Sequence, residues 1–207
     1  MFNRPTRVYR AYIFDCDGTL ADTMPLHHRA WNHGLALAGS GFQLDADAFM
    51  LVAGMALEQT VAHWEQVQGV KIDVAAVVEG KAAYFEERRH EITALAPVVA
   101  WARELHEAGK PLAVASGGRR DDVFDTLERL HLRELFPVIV TADDVRMAKP
   151  APDLFLLAAE RLGVAPGDCL VIEDSPLGVE AANTAGMDSI LLPSFAELAR
   201  LAGAGKV

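Results

Sequence analysis

The 207-residue chain sets 19 Lys and Arg against 29 Asp and Glu, a formal net charge of −10, and 51% of its residues are apolar. That length can bury a substantial core, as one large domain or one domain with an insertion, and the acidic balance excludes nucleic acid as a general partner, since a phosphate backbone needs a basic surface. No apolar run approaches the ~18 residues of a membrane-spanning helix, so no membrane partner is expected.

Residues 8–14 form an apolar run rich in strand formers. No apolar segment with a cleavage site precedes it, and a cytoplasmic location is expected. The run leads into Asp15-Cys16-Asp17-Gly18-Thr19-Leu20. An apolar run that stops at acids and glycine reads as a buried strand ending at a turn. Ligands of parallel sheets bind beyond such carboxyl ends. The period of two along a strand sends Asp15 and Asp17 the same way. Two carboxylates on one side repel unless a cation lies between them or one stays protonated. The pair suits a hard divalent cation, with Mg²⁺ the usual choice beside phosphate. Cys16 and Cys169 are the only cysteines, and no disulfide is expected. The acidic neighbours of Cys16 raise its pKa, the wrong direction for a nucleophile.

Helix signals then run from about 23 to 94 without a convincing strand. Residues 25–38 favour helix, with Thr23 as N-cap and Pro25 in the first turn, and Gly39-Ser40-Gly41 ends it. Residues 45–51 form a short helix, Gly54 a break, and 56–68 another helix. Asp73 caps a long helix running to about 91.

After Pro97 the pattern alternates. A helix over 98–108 precedes a strand at 112–115, followed by Ser116-Gly117-Gly118. A helix over 121–130 precedes a strand at 138–140. A helix over 153–162 precedes a strand at 169–172 that ends at Glu173-Asp174. A helix over 176–185, a strand at 189–192 and a tail helix over 195–201 complete the chain. Strand alternating with helix predicts an α/β fold, a Rossmann-like doubly wound parallel sheet. The expected domains are a core of residues 1–22 and 95–207 and an inserted all-helical cap of residues 23–94.

Polar residues at four strand ends share one edge of such a sheet. Asp15 is the candidate nucleophile towards phosphorus. Asp17 is placed to protonate a leaving alkoxide and then activate water. Asp174 adds an oxygen ligand across the crevice, and Glu173 ligates directly or through water. Ser116, with the backbone freed by Gly117, holds a phosphate oxygen. Lys149 neutralises Asp15 and the transferring group. Arg119 and Arg120 read as solvated helix-start residues.

These residues resemble the haloacid dehalogenase-like superfamily over nearly the whole chain. Asp15-Cys16-Asp17-Gly18-Thr19-Leu20 looks like its first motif, Ser116 its second, Lys149 its third and Glu173-Asp174 its fourth. Asp22-Thr23, His27, Arg29-Ala30-Trp31 and Glu173-Asp174-Ser175-Pro176-Leu177-Gly178 look like the subgroup of β-phosphoglucomutase and small sugar-phosphate phosphatases. The resemblance implies a helical cap that closes over substrate, Mg²⁺ and an aspartyl-phosphate intermediate. By the same resemblance, His27 and Lys81 match substrate positions in the cap. Trp31, Trp64 and Tyr84 read instead as cap core. A mutase of this subgroup carries an arginine shortly after the cap glycine, where this chain has Leu57 after Gly54. That difference points to a phosphatase, closest in pattern to those acting on fructose 1-phosphate or 6-phosphogluconate. The phosphosugar mutase is the first alternative. The second is a non-enzymatic phospho-acceptor signalling domain, against which Asp17 and the cap both speak. The expected partner is a small phosphorylated metabolite, and a monomer is favoured.

Overall fold

The computed structural model describes residues 2–53, 55 and 57–203. The break expected at Gly54 and the helix start expected at Ala56 lie outside the described residues. In chain order, strand β1 (Ala11–Phe14) is followed by helices α1 (Met24–Leu37), α2 (Ala46–Val52), α3 (Leu57–Gln68) and α4 (Val74–Arg88). Next come α5 (Ala96–Glu107), β2 (Leu112–Ala115), α6 (Arg120–Arg129), β3 (Val138–Val140) and α7 (Asp153–Leu162). The last elements are β4 (Cys169–Glu173), α8 (Pro176–Thr184), β5 (Asp188–Leu191) and α9 (Phe195–Gly203). The chain divides into two compact units, Met1–Asp22 with Thr93–Ser194, and Thr23–Ile92 with Phe195–Val207.

The first unit is built on a parallel sheet of order β3-β2-β1-β4-β5. Every residue of β1 is buried, as expected of a central strand covered on both faces. Alternate side chains supply two separate cores. Tyr12, Phe14, Leu112, Val114, Leu170 and Ile172 meet Trp101 of α5 and Leu127 of α6 on one face. Ala11, Ile13, Ala113, Ala115 and Val171 meet Phe155 of α7 and Ala181 of α8 on the other. The small residues of the second face let its helices lie close to the sheet. The chain winds one way from β1 through β2 to β3, and the other way through β4 to β5. The strand order therefore reverses between β1 and β4, and sheets of this kind bind ligands at the carboxyl ends beside such a reversal.

The segment that carries Lys149 is tied down by Asp144. Its carboxylate, in a side chain only 6% exposed, accepts from Arg120 Nη2 at 2.8 Å and Arg161 Nη2 at 2.9 Å. It also accepts from the Thr141 backbone N–H and hydroxyl, each at 2.9 Å. Burial works to raise its pKa, but these bonds from Arg161, Thr141 and Arg120 outweigh it and hold the carboxyl well below its ordinary range. Asp144→Ala is expected to reduce unfolding free energy by about 2 kcal/mol, read as a lower urea midpoint at unchanged slope. A depressed carboxyl pKa stabilises fully above the unfolded value of about 4, and the gain is lost as pH falls through the folded value. Variant and wild type should therefore converge only in strongly acidic buffer. Equal midpoints at neutral pH would show that the network contributes nothing.

The second unit is helical. Trp31, Leu35, Phe49, Val61, Trp64 and Val77 belong to its core. Tyr84, expected there, is instead half-buried beside His33 and under the Arg88 guanidinium, which lies 4.0 Å from its ring centroid. Asp45 and Asp73 cap α2 and α4 through their side chains. Thr23 does not cap α1: its hydroxyl is buried and makes no cap bond, because the residue already has helical dihedrals. The helix expected to run to about 91 ends at Arg88 and tightens into a 3₁₀ turn at Arg89–Glu91. Helices α1 and α4 touch at glycines. A β-carbon on Gly34 would lie 2.6 Å from the Val77 carbonyl oxygen, and one on Gly80 would lie 3.1 Å from the Gly34 Cα. The tail helix, expected with the core, groups with this unit. Phe195 packs 5.6 Å from the His28 ring and Arg200 pairs with Asp47 at 3.1 Å. Among the described residues, no helix is long and apolar enough to cross a membrane.

Candidate active site

The site is built at the carboxyl ends of β1, β2 and β4, with Lys149 added from the segment between β3 and α7. Asp15 comes directly after β1 and is 5% exposed, with its backbone N–H bonded to Ile172 of β4 at 2.9 Å. The chain then turns sharply: Leu20 and Ala21 both donate to the Cys16 carbonyl at 2.9 Å, and Gly18 takes a φ of 83°. That left-handed conformation is why glycine stands there.

The turn changes one expectation. Three carboxylates, from Asp15, Glu173 and Asp174, each offer an oxygen within 4.8 Å of the others. Asp17, expected to share that role by strand alternation, is not in the group. The strand ends at Phe14, so the period of two does not reach residue 17. The Asp17 Oδ2 instead borders the Ser116 turn, 3.4 Å from where a Gly118 β-carbon would sit.

Lys149 is the cation at the centre. Its side chain is 8% exposed, and Nζ donates to Asp15 Oδ1 at 2.6 Å and to Glu173 Oε1 at 2.5 Å. The other Glu173 oxygen accepts from the Ser175 N–H at 2.8 Å and hydroxyl at 2.9 Å. Both Glu173 oxygens are thus engaged by protein donors, although the distances alone would admit it as a metal ligand. Ser175 also caps α8 by accepting from Gly178 at 3.1 Å. A Ser-Pro pair after two acids signals a helix start, but nothing in it announces the bond back to Glu173.

Burial drives the electrostatics. Removal from water pushes the Asp15 carboxyl up to about 7, with Glu173 and Asp17 adding to the effect and Lys149 opposing it. Asp174 is raised well above the ordinary range by burial and by the charges of Asp15 and Glu173. Lys149 moves the other way from what burial alone would give, because Asp15 and Glu173 hold it charged. Cys16 is driven far up by burial and by Asp17 and Asp15, so it stays a thiol. One buried ammonium thus faces a larger number of crowded carboxylates. The excess negative charge and all-oxygen donors fit a hard divalent cation.

Ser116 is 1% exposed, donates its N–H to the Val140 carbonyl, and accepts the Gly118 N–H on Oγ at 3.0 Å. Gly117 is exposed and has open space around it. His27 and Lys81 belong to the helical unit. The His27 ring stacks on Phe85 at 4.3 Å, and Lys81 Nζ lies 5.7 Å from the Trp31 ring centroid.

A family model described as a haloacid dehalogenase-like hydrolase matches residues 9–186. The chain belongs to that family. Its Rossmann-like sheet recurs in the crystal structure of a CbbY mutant from Rhodobacter sphaeroides in complex with xylulose 1,5-bisphosphate, at a TM-score of 0.76 and 30% identity, covering 91% of this chain and 88% of that one. Among relatives by sequence, the fructose-1-phosphate phosphatase YqaB of Escherichia coli is 34% identical over 88% of this chain and 95% of its own length. Hexitol phosphatase A of the same organism is 32% identical, over 93% and 87%. This member of the hydrolase family keeps Asp15, Lys149 and the Glu173-Asp174 pair together at one edge of the sheet.

Proposed function

We propose that the protein is a Mg²⁺-dependent phosphatase of small phosphorylated sugars or related metabolites, working through an aspartyl-phosphate. It is a phosphoric monoester hydrolase. The observation that carries the reading is the buried Asp15, held by Lys149 at the switch point of the sheet, with Asp174 beside it and Asp17 one turn away.

Asp15 attacks phosphorus, and the bond to the sugar oxygen breaks. Asp17 gives that oxygen its proton, so the sugar leaves as a neutral alcohol. Asp17, now a carboxylate, takes a proton from water as the water attacks the aspartyl-phosphate. Inorganic phosphate leaves and Asp15 is restored. Lys149 neutralises charge on Asp15 and on the transferring group. Ser116 Oγ–H and the N–H of Gly117 hold a non-bridging oxygen; the Ser116 Oγ accepts the Gly118 N–H and so keeps its own proton to donate. Asp15 and Asp174 would hold Mg²⁺, whose charge offsets the carboxylates and polarises a phosphate oxygen. Glu173 is reserved for Lys149. Its position beside the cluster leaves a role through water open to the metal.

Leu57 stands where the mutases of the family carry arginine, which supports hydrolysis of a monophosphate over transfer between two phosphate positions. His27 and Lys81 are the substrate-selecting candidates of the helical unit.

Phosphate release from a panel of sugar phosphates and phosphoglycolate is the test. Release is expected with Mg²⁺, lost in EDTA and restored by added Mg²⁺. The same ion should raise the melting temperature, as any ligand of the folded state does. Asp174→Asn should abolish that rise. No release from any substrate by folded, Mg²⁺-loaded protein would overturn the reading. Faster conversion of β-glucose 1-phosphate to glucose 6-phosphate than release of phosphate, with a bisphosphate primer present, would replace it with the mutase.

A further inference from the structure

Gly178 is the third residue of α8. Glycine inside a helix is unfavourable relative to alanine, and its φ lies outside the left-handed region, so the backbone does not require it. What requires it is Glu173. A β-carbon on Gly178 would overlap the Glu173 carboxyl group and lie 2.6 Å from its Cγ. Glu173 has no easy way aside. It is 1% exposed, and its two oxygens are held by Lys149 and by Ser175. The Gly178 N–H also fixes the Ser175 hydroxyl that holds one of them.

We infer that Gly178 is a positioning residue. Its bare Cα is the seat for the Glu173 side chain, which in turn aims the Lys149 ammonium at Asp15. Any side chain at 178 unseats Glu173 and leaves Lys149 with Asp15 as its one carboxylate partner of the two. The inference rests on the phosphatase reading for its effect on turnover, but the seat itself is a matter of packing and can be tested without turnover.

The experiment compares wild type with Gly178→Ala, Glu173→Ala and the double variant. Gly178→Ala alone should lower the melting temperature. In the Glu173→Ala background the overlap is gone, so the same change should leave the melting temperature unchanged or raise it, alanine being the better helix former. Lys149, protected in wild type, should be acetylated by acetic anhydride at least ~5-fold faster in Gly178→Ala, because an ammonium loses protection with its carboxylate partner. Labelling of Lys71, which is 93% exposed, should not change. Phosphate release by Gly178→Ala should fall on the order of 100-fold in kcat, the scale of a displaced electrostatic group. Equal loss of melting temperature in both backgrounds, or a Lys149 that stays protected in Gly178→Ala, would overturn the inference. Absent turnover in wild type would instead sink the phosphatase reading, and the melting and labelling results would still decide the seat.

Discussion

Asp15→Asn should abolish phosphate release, by a factor on the order of 10⁴ or more, as when a nucleophile is removed from a covalent mechanism. The amide keeps the shape of the carboxyl and loses its negative charge, so the fold survives. Stability should move the other way from activity. Burial, Glu173 and Asp17 all disfavour a charged Asp15, and Lys149 only partly offsets them. In EDTA the asparagine variant should therefore melt no lower than wild type, and Mg²⁺ should stabilise it less. This is the usual conflict between a crowded functional site and the stability of the fold. Measured turnover within tenfold of wild type would remove Asp15 from the nucleophile's role.

Lys149→Met should lose both activity and stability. The methionine fills the aliphatic volume but leaves Asp15 and Glu173 without the ammonium that both now share. Breaking a buried ion pair on one side costs about 3–5 kcal/mol, since the remaining charge stays desolvated. That loss should appear in urea unfolding of the metal-free protein. In the presence of Mg²⁺, kcat should fall by about 10²–10³, the scale of removing one group aimed at developing charge. If Lys149→Met unfolds like wild type, then the ammonium is not the counter-charge of this cluster, and the assignment of Glu173 to it fails as well.

Much of this is legible in the chain. The run into Asp15 and Asp17, the buried short strands and their helix stops at Gly163 and Gly186 are local patterns, and local patterns survive in sequence. The order of the strand ends also brings Asp15, Ser116, Lys149 and Glu173-Asp174 to one edge without any distance being needed. Several expectations do not survive, among them the places of Tyr84 and of the tail helix. The alternation that pairs Asp15 with Asp17 presumes an extended strand, and the turn at Cys16–Gly18 breaks it. The N-cap expected of Thr23 presumes an extended residue at the helix start, and its helical dihedrals leave the buried hydroxyl without a cap bond.

The sequence by itself determined the fold class, the family to which the chain belongs, and that Asp15, Lys149 and the Glu173-Asp174 pair lie at one edge of the sheet. It did so because periodicity, turn residues and charged strand ends are properties of neighbours in the chain. Tertiary structure alone decided that Glu173 serves Lys149 rather than standing open, that Gly178 makes room for it, that Gly34 and Gly80 let two helices touch, and that the tail helix packs on α2. Each of these joins atoms distant along the chain or turns on sub-ångström space, and neither the partner nor the space is written in residue order.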